Sequence, residues 1–262
     1  MSMENKYYKT NALYEYIKDH NIQHLEYVAG NLWMLIYGDS QCDPHLLVTA
    51  SGVPQDEIYS ELSKEEKRIH NRMIQLYKRT KIPSIFIRFA INTDSIDEVL
   101  LFNKEHKFVP YTMDKLTEIF AHFGLPTAPY KSSKTAKYLN DKTSSAYHKW
   151  QRDNLGRDLK VSDFDLLKVD KDGNIEEVYE LKRSYYSLDR WKPFQDDYNN
   201  FRLLLKLLSK DNIKLKIVYN VRTKNPFFDD ISKLKIFNVN EHQNPLITYD
   251  KIVDIDTFIK EE

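Results

Sequence analysis

The sequence predicts an α/β protein built on a mixed sheet, with an N-terminal α+β region ahead of it. Three observations carry that expectation. The chain has 262 residues, of which 41% are hydrophobic and 13% aromatic, enough for a sizeable core. Residues 162–184, SDFDLLKVDKDGNIEEVYELKRS, place apolar-rich runs at 164–169 and 178–181 on either side of Asp172-Gly173. An Asp-Gly pair between two such runs is a strong short-range signal for an antiparallel hairpin. From residue 134 onward the order of periodic segments is helix, strand, strand, helix, strand, strand.

Taken in order, residues 11–20 carry Leu13, Tyr16 and Ile17 at helical spacing. Residues 32–37 (LWMLIY) and 46–49 read as strands, separated by Gly38-Asp39-Ser40 and Pro44. Ile58, Leu62, Ile69, Met73, Leu76 and Tyr77 form one apolar stripe, so a long amphipathic helix is expected over 56–79. Residues 84–90 and 98–102 read as a second strand pair. A helix follows over 112–123, with Thr112 as N-cap and Gly124 ending it. Two prolines in 125–129 mark the linker between a region 1–125 and a core 126–262. A helix is expected over 134–154, then the hairpin. Pro193 is read as opening the next helix, whose stripe is Phe194, Tyr198, Phe201, Leu205 and Leu208. Residues 213–220, 234–239 and 246–249 read as strands. No internal repeat is visible.

Composition excludes several classes. Lys+Arg and Asp+Glu both number 39, so net charge points to no acidic partner. The single cysteine, Cys42, rules out disulfide frameworks and cysteine-rich zinc sites, and reads as a small buried residue. The 6 glycines form no nucleotide-binding loop. The stretch MSMENKYYKT lacks the apolar run of a signal peptide, and no segment reaches the ~18 apolar residues needed to span a membrane. The expectation is a soluble, cytoplasmic protein. Basic residues do cluster locally: Lys131, Lys134, Lys137, Lys142, Lys149, Arg152, Arg157 and Lys160 face only Asp141, Asp153 and Asp158. Within that segment Lys134, Lys137, Lys149 and Arg152 are the candidate contacts to nucleic-acid phosphates, against the alternative of a solvated helix face.

The hairpin register follows from its loop. A two- or four-residue loop centred on Asp172-Gly173 sets Asp165 opposite Glu180 and Asp163 opposite Lys182. Alternation then gathers Asp163, Asp165, Glu180, Lys182 and Ser184 on one face. Facing carboxylates repel, and a divalent cation removes that penalty; Mg²⁺ binds one or two carboxylates and keeps several waters. An odd-length loop would instead put Phe164 or Leu166 opposite Glu180, unless a bulge intervened.

Asp165 followed by Glu180-Leu181-Lys182 on the next strand, then a helix and a further strand, resembles the PD-(D/E)xK nuclease superfamily, the restriction-endonuclease-like fold. Phe164 stands where the family pattern has proline. The match covers residues 134–222; residues 1–125 match no family. Three other acidic-x-Lys triplets, Glu65-Glu66-Lys67, Glu105-His106-Lys107 and Asp158-Leu159-Lys160, lack a carboxylate set opposite by a paired strand. The resemblance implies a Mg²⁺-dependent DNA endonuclease of restriction or mobile-element type, with Mn²⁺ able to substitute and RNA as the alternative polymer. It further implies that Asp165, Glu180 and the Leu181 carbonyl hold the metal. Lys182 would orient or activate water, and Gln195, with Tyr198 nearby, would position phosphate or Lys182. Asp163 would act as a supporting acid or pair with Lys182. Region 1–125 would supply target recognition or dimerisation. The competing expectation is a non-catalytic module on the same fold that binds DNA or a protein partner. His148 and Asp170 with Asp172 are read as structural and turn residues. Glu176 and Glu177 are read as solvent-facing, with Glu176 the lesser candidate for a second metal.

Overall fold

The computed structural model describes residues 10–28, 30–91, 93, 95–127, 145–156, 158–240 and 245–260. Its described residues form a mixed α/β chain with two six-stranded mixed sheets. The chain divides into two compact units, residues 1–27 with 164–262, and residues 28–163. The expected cut between 125 and 126 is therefore not the one that the packing draws. The second unit is inserted into the first after its opening strand.

Unit 1 begins with helix α1 (Ala12–Asp19), capped by the Asn11 side chain, which accepts from Leu13 N at 3.0 Å. Strand β1 (Leu25–Tyr27) follows. The chain returns to this sheet at β8 (Leu166–Val169) and β9 (Ile175–Ser184). A 3₁₀ turn (Gln195–Asp197) leads into helix α5 (Tyr198–Leu208), and β10 (Lys214–Lys224), β11 (Phe227–Val239), β12 (Ile247–Asp254) and helix α6 (Ile255–Lys260) complete the unit. The strand order is β1-β8-β9-β10-β11-β12, antiparallel except for β9 and β10. Parallel neighbours need a long crossover, and α5 supplies it. Leu13 and Ile17 of α1 and Phe258 of α6 pack with Leu166, Tyr179, Val218 and Leu234 on one sheet face. Strand alternation turns Val178, Glu180 and Lys182 to the other face, where Lys182 lies over the Phe201 ring of α5. Phe201, Leu204, Leu205 and Leu208 are buried there, each contributing roughly 1.5–3 kcal/mol.

Unit 2 contains β2 (Leu32–Gly38), β3 (Pro44–Val53), helix α2 (Lys64–Thr80), β4 (Ser84–Ala90), β5 (Glu98–Phe102), β6 (Phe108–Thr112), helix α3 (Met113–His122), helix α4 (Ala146–Asn154) and β7 (Lys160–Asp163). Its sheet order is β6-β5-β4-β3-β2-β7, with β3 and β4 parallel across α2. Phe120, Tyr147 and Trp150 cover one face against Leu35, Val48, Ala50 and Ile87.

Several expectations change. The helix expected over 56–79 begins only at Lys64. Ser63 and Glu66 form a capping box there, an S-x-x-E signal that outweighs the apolar stripe upstream. The helix expected from Pro193 starts at Tyr198, and Phe194 is exposed. Strand β6 was not foreseen because Val109, Pro110 and Thr112 are exposed and Pro110 breaks the apolar pattern of this edge strand. Of the helix expected over 134–154, residues 134–144 lie outside the described set, and α4 covers the remainder.

Candidate functional site at the β8–β9 hairpin

Asp165 stands immediately before β8, and the first ladder pair beyond it is Leu166 with Tyr179. Glu180 is thus the next position across the hairpin. The loop that produces this register is not the even one. Val169 pairs with Ile175, which leaves a five-residue loop, 170–174. A bulge at Glu176 then restores the frame, so that Lys168 pairs with Glu177. Asp170 organises the turn, its Oδ1 accepting from Asp172 N at 2.9 Å and Asn174 N at 2.7 Å, while Gly173 takes φ +76°.

Asp165 is held from both its side chain and its backbone. Its Oδ2 accepts from Leu181 N at 2.7 Å, and its backbone oxygen accepts from the Tyr14 hydroxyl of α1 at 2.8 Å. One carboxylate oxygen thereby does what a strand carbonyl would do where the ladder has ended. Glu180, on the adjacent strand, is 4% exposed. Lys182 Nζ lies 2.9 Å from Glu180 Oε1 and 3.9 Å from Asp197 Oδ2. Burial works against the Lys182 charge, but Glu180 first, then Asp197 and Asp165, more than offset it and hold the ammonium's pKa above its ordinary value.

The loop between β9 and α5 is fixed from β11. Lys235 Nζ donates to the carbonyls of Leu188 at 2.7 Å and Trp191 at 2.9 Å. The Trp191 ring stacks on Tyr219 at 4.1 Å. This anchoring delivers the 3₁₀ turn and its Asp197 to Lys182.

The structure brings together Asp165, Glu180, Leu181 and Lys182. Gln195 is exposed, and the residue that its turn presents to Lys182 is Asp197 instead. Asp163 is not part of this hairpin: it belongs to β7 and pairs with Leu35 in the sheet of unit 2. Asp163 would face Lys182 only in a strand unbroken from 162, whereas the chain leaves one sheet at Asp163 and enters another at Leu166. Glu177 is buried rather than solvent-facing. Burial opposes its charge, but hydrogen bonds from Lys216 at 2.8 Å and Tyr179 at 2.7 Å prevail and lower its pKa. Glu176 is exposed, as expected. Of the candidate phosphate contacts, Lys134 and Lys137 lie outside the described residues. Lys149 is exposed and Arg152 half-buried on α4 of unit 2. His148 is structural: its Nδ1 meets Ser145 Oγ at 2.9 Å, and burial, aided by Arg152, pulls its pKa down to about 4.

Asp197 was missed by sequence reasoning. Its signal was present: it precedes Phe201 by four residues, a spacing that would set both on one face of the helix expected from Pro193, and both are buried although Asp197 ends the 3₁₀ turn just ahead of α5.

Among the described residues, no group of three or more His, Cys, Asp or Glu side chains is gathered to hold a metal ion. At the hairpin the donor set is two carboxylates, Asp165 and Glu180, with the Leu181 carbonyl. That set suits a hard cation that completes its shell with water, and no site requiring three protein carboxylates or imidazoles. No described helix is long and apolar enough to cross a membrane. In comparison with known proteins, no family model matches the chain, and no curated protein or solved structure matches it.

Proposed function

We propose that unit 1 is a Mg²⁺-dependent nuclease unit of restriction-endonuclease type, hydrolysing DNA phosphodiester bonds. The observation that carries this reading is the clamp of Asp165 onto Leu181, with Glu180 and Lys182 on either side of that residue. The element order supports it: Asp165 immediately before β8, the Glu180-Leu181-Lys182 strand, α5 and β10 follow the succession that the family resemblance implies. The helix that precedes them in this unit is α1 from the N-terminus, not the segment 134–154.

In this reading Asp165, Glu180 and the Leu181 carbonyl would hold Mg²⁺, and the ion would supply Lewis-acid chemistry to the phosphodiester and to the attacking water. Lys182 stays protonated under physiological conditions. Its role is then to donate hydrogen bonds to the attacking water or to a phosphate oxygen, and to offset phosphate charge, and it does not serve as the base. Asp197 keeps the ammonium directed into the site. Tyr14 fixes the backbone from which the Asp165 carboxylate projects.

A second reading, a module that binds DNA or a protein without turnover, is favoured by the 2.9 Å pairing of Lys182 with Glu180, which offsets the buried carboxylate's charge without any cation. Supercoiled plasmid incubated with the protein and Mg²⁺ separates the two. Cleavage that stops on addition of a chelator supports the nuclease, and intact plasmid at all protein concentrations leaves only the binding module. An RNA substrate in parallel assigns the polymer.

A further inference from the structure

The two units repeat each other. The first half of the chain runs α1-β1-β2-β3-α2-β4-β5-β6-α3, and the second runs α4-β7-β8-β9-α5-β10-β11-β12-α6. Each sheet contains an antiparallel hairpin, a helical crossover to a parallel strand, and two further antiparallel strands. Through the hairpin, the crossover and the parallel strand, the correspondence holds residue by residue at a shift of 131, from Leu47 to Val178 and from their parallel partners Ser84 to Leu215. At that shift both hairpins bulge at the same place. Asp39 Oδ1 accepts from Gln41 N at 2.9 Å and Asp43 N at 3.0 Å, as Asp170 does from its own turn. Cys42 matches Gly173, and Lys81 matches Asn212, all four at positive φ. Core positions Leu35, Val48, Ala50 and Ile87 match Leu166, Tyr179, Leu181 and Val218. The opening helix and strand are exchanged: β1 lies beside β8, and β7 lies beside β2.

The chemistry is not repeated. Met34 stands for Asp165, Thr49 for Glu180 and Ser51 for Lys182; the first two are 0% exposed and Ser51 3%. Glu66 matches Asp197, and its partner is Arg88 at 2.9 Å, projecting from the strand beside Ser51. Ser51 Oγ donates to Glu66 Oε1 at 2.7 Å. Where unit 1 has two carboxylates and a lysine, unit 2 has Met34, Thr49 and Ser51, and the serine is tied to the buried Glu66–Arg88 pair.

We infer that the chain is a duplication of one fold whose unit 2 copy lacks, among the described residues, the two carboxylates and lysine of unit 1, so that the protein works through one such centre and breaks one strand of a duplex per binding event. This rests on the nuclease reading of unit 1. With a single centre, double-strand breakage needs a second, independent event.

Two measurements test it. In a time course with supercoiled plasmid and Mg²⁺, open-circular DNA should accumulate first and linear DNA should follow it. Linear product that forms directly, without an open-circular intermediate, overturns the inference while leaving the nuclease reading intact. Calorimetric titration with Mn²⁺ should show saturable binding in the wild type and in Thr49→Val, and none in the near-isosteric Asp165→Asn/Glu180→Gln double variant. Retention of wild-type affinity in that double variant overturns the inference. A wild-type chain that neither binds Mn²⁺ nor cuts plasmid overturns the nuclease reading, and the single-strand claim with it.

Discussion

Asp165 Oδ2 takes the Leu181 amide hydrogen at 2.7 Å, one position beyond the last ladder pair of the β8–β9 hairpin. The carboxylate therefore has two duties, closing the hairpin and supplying charge, and the two can be separated. Asp165→Asn keeps an acceptor oxygen and should unfold within about 1 kcal/mol of wild type, yet lose Mg²⁺-dependent cleavage. Asp165→Ala leaves a part-buried amide unsatisfied and should cost about 1–3 kcal/mol in urea denaturation as well. Equal stability of the two variants would contradict the closing role.

The carboxylates beside Lys182 hold its pKa above the ordinary value in spite of burial. The same shift has a sign in stability. A lysine whose folded pKa exceeds its unfolded value of about 10.4 stabilises the fold fully below that pH, and the contribution is lost as pH rises through the folded pKa. Wild type should therefore lose stability above about pH 10.4 more steeply than Lys182→Met. Parallel pH–stability curves would refute the assignment.

Glu176 is the bulge residue, its side chain 49% exposed and 4.0 Å from Lys168 Nζ. Glu176→Ala should change stability by no more than about 0.5 kcal/mol and leave the cleavage rate unchanged. A loss of metal-dependent rate would instead bring Glu176 into the cation site.

Arg88 and Glu66 form a fully enclosed pair in unit 2, Arg88 also donating to the carbonyls of Ile58 at 3.1 Å and Ser60 at 2.6 Å. Removing one partner of a buried pair costs roughly 3–5 kcal/mol. Arg88→Met should destabilise by about that amount in thermal or urea unfolding. Cleavage by the folded fraction should be unaffected, since the pair serves structure alone.

Much of this was legible in the sequence. The hairpin, the partnership of Asp165 with Glu180, and the helix bearing Phe201 all follow from local patterns with periods of two and 3.6 residues. The register came out as expected for a different reason: an odd loop and a compensating bulge at Glu176, two departures that cancel, and neither has a composition signal. What stayed hidden was non-local. Nothing near Asp163 announces that the chain changes sheets within two residues, and nothing near β1 says that its partner lies at 166–168. The duplication was invisible because the two halves share backbone features, such as the turns at Asp39 and Asp170, while their side chains differ. With Met34 at the position of Asp165 and Ser51 at that of Lys182, unit 2 shares backbone register with unit 1 but not the side chains that a motif search would seek.

The centre stands or falls on Glu180. Cleavage of supercoiled plasmid by purified Glu180→Gln, compared with wild type at equal folded concentration and saturating Mg²⁺, addresses it directly. The expected result is a fall of at least about 100-fold, since a metal-holding carboxylate has been neutralised with little change of shape. Undiminished Mg²⁺-dependent cleavage by that variant would contradict the assignment of Asp165, Glu180 and Lys182 as the reacting site.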